Sequence, residues 1–114
     1  MVDIEIKRFF IYVHFRDTSK ERLITSAKAL QSVMKAYFDT NFKVALITQD
    51  AISFVVKTSM HVHGINAALV SPDRQKVNLS GDPIQSEDEL LILEIGEHFS
   101  VRNLGLVQGW LSAK

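Results

Sequence analysis

The apolar residues of this chain fall into blocks whose period changes from one block to the next. Phe9, Ile11, Val13 and Phe15 alternate with Phe10, Tyr12 and His14, the two-residue repeat of a strand. Both sets are largely apolar, which predicts a strand central in its sheet and covered on both faces. Asp17-Thr18-Ser19-Lys20-Glu21 reads as a helix start, with Thr18 and Glu21 at capping-box spacing. Leu23, Ile24, Ala27, Leu30, Val33, Met34, Tyr37 and Phe38 then recur at helical intervals. The helix stops at the turn formers Asp39-Thr40-Asn41.

Residues 42–48 and 52–58 have strand character, and Gln49-Asp50-Ala51 between them is short enough for a hairpin. In the second of these strands Ile52, Phe54 and Val56 share one face, and Ser53, Val55 and Lys57 the other. Residues 61–70 predict a second helix with Ser59 as its cap, weakened at Gly64 by ~1 kcal/mol relative to alanine. Ser71-Pro72-Asp73-Arg74 ends it. The polar stretch 75–89, with Gly81, Asp82 and Pro83, reads as an irregular loop carrying a short extension at 76–79. Leu90-Leu91-Ile92-Leu93-Glu94-Ile95 reads as a buried strand that Gly96 ends. Residues 104–111, interrupted by two glycines, form a weak helix or tail that Trp110 anchors to the body.

The resulting order is β-α-β-β-α-β plus a tail. That is the split β-α-β plan of an α+β, ferredoxin-like domain: one antiparallel sheet with two helices on one face. A length of 114 residues fits a single domain over 1–114 and suffices for a core without covalent staples. The absence of cysteine excludes disulfides, thiolate catalysis and cysteine zinc sites, and it fits a reducing compartment. The N-terminus lacks the apolar core of a signal peptide, and no apolar run approaches the ~20 residues of a membrane span. These features predict a cytoplasmic protein with no membrane partner. Thirteen basic and thirteen acidic residues cancel, so general attraction to nucleic acid is not expected, whereas self-association is permitted.

Three segments carry a family resemblance. Ile52-Ser53-Phe54-Val55-Val56-Lys57-Thr58, entering a helix, resembles the third strand of small SinR-like and Cas2-like ferredoxin-fold proteins. Residues 87–95, followed by Gly109-Trp110-Leu111, resemble their last strand and C-terminal segment, and Phe10-Ile11-Tyr12-Val13 suits their first strand. The resemblance implies a ferredoxin-like fold and a homodimer. Cas2-like nucleases are known for a metal-binding aspartate at the end of the first strand. Here that place reads His14-Phe15-Arg16, with Asp17 two residues late, so the metal site is not carried over.

Two groups of residues have the composition of a chemical site. His61-Val62-His63 has the H-x-H spacing of two ligands on a strand, with His98 and Glu97 as candidate third ligands at the same sheet end. At a helix start the two rings diverge by about 200° and cannot share one metal. The plainer reading is surface histidines. At the opposite end the topology gathers His14, Arg16, Asp17, Asp50, Asp88 and Glu89. A histidine beside carboxylates can act as general base, with His14, Asp17 and Asp50 as catalytic candidates, or the carboxylates can hold Mg²⁺. The plainer reading is hairpin and cap residues. Searches for phosphate-binding, dinucleotide-binding and nucleophile-elbow motifs fail.

The second face of the first strand is the more telling feature. Helices of this fold cover one sheet face, which leaves Phe10, Tyr12 and His14, together with Val55, for a partner. Exposed aromatics can stack single-stranded RNA, but Ser53, Val55 and Lys57 supply no second aromatic and only one cation. The residues therefore predict a non-enzymatic, cofactor-free homodimer that binds another macromolecule, a protein in preference to a nucleic acid. The alternative is a metal-dependent nuclease of Cas2-like or toxin type, using Mg²⁺.

Overall fold

Each apolar block becomes one element of an α+β fold in the computed structural model, which describes residues 5–16, 19–79, 83–96 and 110–111. The order is β1 (Lys7–His14), α1 (Lys20–Phe38), β2 (Phe42–Ile47), β3 (Ala51–Thr58), α2 (Val62–Val70) and β4 (Glu89–Ile95). The strands form one open antiparallel sheet in the order β2-β3-β1-β4. β1 is central, as its two apolar faces predict.

One face of the sheet meets both helices. Phe9, Ile11 and Val13 of β1 and Ile52, Phe54 and Val56 of β3 form a single core with Leu30, Val33, Met34 and Phe38 of α1 and Ile65 and Leu69 of α2. Burial of each such large side chain contributes ~1.5–3 kcal/mol, which is what docks the helices. Val77 and Ile84 join this core from the 71–88 connection, so the loop is pinned to the body at two points. The extension expected at 76–79 is a turn: the Lys76 and Val77 amides donate to the Asp73 carbonyl at 2.9 and 3.0 Å.

Both helix starts differ from expectation. Ser19 caps α1, its Oγ accepting from the Arg22 amide at 3.3 Å; the position three residues on is then arginine, and no capping box forms. Thr18 lies outside the described residues. His61, not Ser59, caps α2, its Nδ1 accepting from the His63 amide at 3.1 Å. α1 ends at Asp39, whose φ of 54° with ψ of -113° is a backbone conformation that favours glycine and stops the helix, while its amide still reaches the Lys35 carbonyl at 2.9 Å.

The last strand is a correction of another kind. β4 is not buried: Leu91 and Leu93 are 47 % and 51 % exposed. The continuous apolar run reads as a covered strand, but the strand order puts β4 at the sheet edge, and α1 and α2 pack on the other face from Leu91 and Leu93. Ile24 of the helical stripe is likewise 47 % exposed, because it lies at the margin of the buried face. Among the described residues no helix is long and apolar enough to cross a membrane.

Candidate functional site

The pairing register brings the predicted carboxylate cluster together. His14, the last residue of β1, sits opposite Ala51 of β3 and Glu89 of β4. Asp50, the hairpin residue just before Ala51, and Glu89 therefore flank the imidazole. Nε2 lies 3.1 Å from Asp50 Oδ2 and Nδ1 lies 3.1 Å from Glu89 Oε1, with the ring largely covered. Both carboxylates are acceptors, so both bonds exist together only when the ring carries two N–H groups. A ring in that state has no lone pair with which to take a proton from a substrate.

The surrounding groups extend the same alternation of charge. Arg16 Nη2 reaches Glu89 Oε1 at 3.2 Å, and Thr48 Oγ1 donates to Asp50 Oδ1 at 3.1 Å. The Asp50 carboxyl lies below its ordinary range, first because of the His14 hydrogen bond and then that of Thr48. Deeper in, Asp88 accepts from Arg22 Nη2, from the Gln85 amide at 2.8 Å and from the Arg16 amide at 3.1 Å. The side chains of this pair are 9 % and 1 % exposed, Arg22 and Asp88 respectively, and the guanidinium stacks over Phe15 at 4.9 Å. Burial pushes the Asp88 carboxyl up, but the Gln85, Arg22 and Arg16 bonds together hold it below the usual aspartate range. Every described carboxylate of the cluster thus faces a histidine or an arginine of the same chain. The arrangement fastens the β2–β3 hairpin, the end of β1, the start of α1 and the start of β4 to one another. Asp17 lies outside the described residues.

At the other end of the sheet the two histidines behave differently from expectation. Because His61 is an extended cap and not a helical residue, the His61 and His63 rings do not diverge but lie 4.9 Å apart, tilted by 34°. His61 Nδ1 is occupied by the capping bond. Among the described residues no three histidine, aspartate or glutamate side chains gather as metal ligands. His98 and Glu97 lie outside the described residues.

The helix-free face has two halves. Arg8 and Lys57, cross-strand neighbours, grip the C-terminal segment: Arg8 Nη1 donates to the Leu111 carbonyl at 2.8 Å and Lys57 Nζ to the Trp110 carbonyl at 2.5 Å. The ammonium also stands 4.4 Å over the Trp110 ring. Burial, and then the neighbouring Arg8 charge, holds the Lys57 pKa below its ordinary value. Leu111 packs on Val55, with Phe10, Ala45 and Ile95 around it. Of the four predicted interface residues, then, Val55 is 2 % exposed beneath this segment, and Phe10 is half-buried beside it. His14 is engaged by its two carboxylates. Tyr12 remains open, 36 % exposed, with Leu91 directly across from it and Leu93 one step along.

Sequence reasoning missed these two leucines. The signal was present in the alternation of Leu91 and Leu93 with Leu90 and Ile92, but the face they share with Tyr12 follows only from the register. No family model matches the chain, and neither a curated protein nor a solved structure matches it significantly.

Proposed function

We propose that this chain is a ferredoxin-like, non-enzymatic homodimer that works by binding another macromolecule. The strand order β2-β3-β1-β4, with both helices packed on one face, supports the ferredoxin-like plan implied by the Cas2-like resemblance. The observation that carries the functional reading is the contiguous row Tyr12, Leu91 and Leu93, left open on a face whose other half the chain covers itself. A contiguous apolar row of this kind marks an interaction surface.

Charge favours protein over nucleic acid as the occupant. Arg8 and Lys57, two cations of this face, are turned to the carbonyls of Leu111 and Trp110; Lys43 of β2 lies exposed on the same face, and the overall charge is zero. Tyr12 has Ser53 and Leu91 as its cross-strand neighbours, which gives a base no second ring to stack on. The carboxylates that a nuclease would need for Mg²⁺ are engaged by the side chains of His14, Arg16 and Arg22.

Light scattering on the wild-type chain tests this reading. The expected mass is twice 12.9 kDa. A monomeric wild type at ~100 μM, where a stable specific dimer is formed, refutes the homodimer.

A further inference from the structure

A second copy can join this sheet in two ways, stacked over the apolar row or edge to edge beside it. We infer that the copies join edge to edge along β4, in the antiparallel register centred on Ile92, so that Leu91 of each copy faces Leu93 of the other. This inference rests on the homodimer reading and specifies its interface.

Three observations lead to it. First, the open face is not flat. Trp110 and Leu111 stand on one half of it, held by Arg8 and Lys57. Stacked sheets approach to ~10 Å with interdigitating side chains, and an intervening segment on each copy prevents that approach.

Second, the two edges of the sheet are built differently. β2 carries an irregularity between Val44 and Leu46, and Lys43 lies in the strand, both of which discourage pairing with another chain. β4 carries no lysine, no proline and no register shift along its pairing with β1. Among the described residues its outer edge meets no strand, so the amides and carbonyls on that side form a regular template.

Third, the strand is self-complementary. A two-fold axis at Ile92 pairs Glu89 with Ile95, Leu90 with Glu94 and Leu91 with Leu93 of the other copy, and uses the whole of β4. No acid opposes an acid. The parity is preserved, so the open faces of both copies lie on the same side, as do the helices. Shifting the register by two residues toward the N-terminus sets Asp88 against Glu94 and shortens the overlap. The product is an eight-stranded sheet with one continuous apolar strip: Tyr12, Leu91 and Leu93 from each copy.

Cysteine cross-linking reads this register directly, because the chain has no cysteine of its own. Directly opposed residues in an antiparallel pair have Cα atoms about 4.5–5.5 Å apart, within disulfide range. Residues offset by two are about 7–8 Å apart and fall outside it. Leu91→Cys mixed with Leu93→Cys, after exchange of subunits and mild oxidation, is expected to give a covalent dimer. Each variant alone is expected to give at least fivefold less. Leu93→Glu, at a half-exposed position that the fold tolerates, sets two new carboxylates diagonally across the axis and raises the dimer Kd at least tenfold.

A wild type that is monomeric by light scattering overturns this interface and the homodimer reading together. A dimer that forms no 91–93 disulfide, and that persists in Leu93→Glu, overturns the β4 edge and leaves the homodimer standing. Equal cross-linking in the mixture and in each variant alone overturns the register.

Discussion

Neutralising Asp88 is expected to destabilise the fold by about 3 kcal/mol, although it lies outside the apolar core. An exposed ion pair contributes only ~0–1 kcal/mol, because solvent screens it and two side chains must be ordered. The Arg22–Asp88 pair is almost fully covered, and the carboxylate accepts three hydrogen bonds from three segments. Asp88→Asn leaves the guanidinium buried without its counter-charge, and breaking a covered pair in this way costs ~3–5 kcal/mol. The lower end applies here, because the guanidinium keeps its stacking over Phe15. Two of its nitrogens, Nε and Nη1, already lack a partner, so the pair is imperfectly satisfied. Arg22→Met with Asp88→Leu is therefore expected to cost less than Asp88→Asn alone. Urea denaturation followed by far-UV circular dichroism measures both. A loss of about 3 kcal/mol corresponds to a fall in Tm of ~10 °C or more for a domain of this size. The Asp88 carboxyl is held low in the folded protein, so its contribution is full above the unfolded aspartate pKa of about 3.9. It is lost as pH falls through the lower folded value. A cost under ~1 kcal/mol for Asp88→Asn, or additive behaviour of Arg22→Ala and Asp88→Ala in a double-mutant cycle, would refute the reasoning.

Three further outcomes are expected. The Asp50 carboxyl, followed by carbon NMR, titrates below the ordinary aspartate value and returns toward it in His14→Phe, since the His14 bond is the first cause of the shift; an unchanged titration would remove the hairpin–strand link. Asp39→Gly raises stability by ~0.5–1 kcal/mol in the same urea experiment, because φ of 54° strains a side chain and suits glycine, and destabilisation would mean the aspartate makes a compensating bond. His61→Ala costs about 1 kcal/mol while His61→Asn restores the cap; equal losses in both would show that the ring contact with His63, at 4.9 Å, matters more than the capping bond.

The elements were legible because their signals are local. The alternation from Phe9 to Phe15, the helical stripe from Leu23 to Phe38 and the turn at Gln49-Asp50-Ala51 each lie within one stretch of chain, and each became the expected element within a residue or two. The capping residues were read less well. Ser19 and Thr18 are both good caps, as are Ser59 and His61 in their own context, and the choice between neighbours depends on where the docked helix is held.

The carboxylate cluster was half legible. Its members follow from the order of the elements, which predicts which strand ends lie together. Its meaning does not. Whether Asp50 and Glu89 are free for a metal or occupied by His14 and Arg16 is a matter of a few ångströms between residues 36 and 75 positions apart in sequence. Of the open row, Tyr12 was legible as an interface residue, but its union with Leu91 and Leu93 was not, because it joins two strands through their register.

The sequence by itself determined the number, type and order of the elements, the centrality of β1 and the absence of thiol chemistry, since period and composition are properties of the chain alone. Only the tertiary structure decided that β4 is an edge, that Trp110 and Leu111 cover half of the second face, and that each described acid at the far end meets a histidine or an arginine. Those facts depend on pairing between distant segments, and the same apolar run is buried in the middle of a sheet and exposed at its edge.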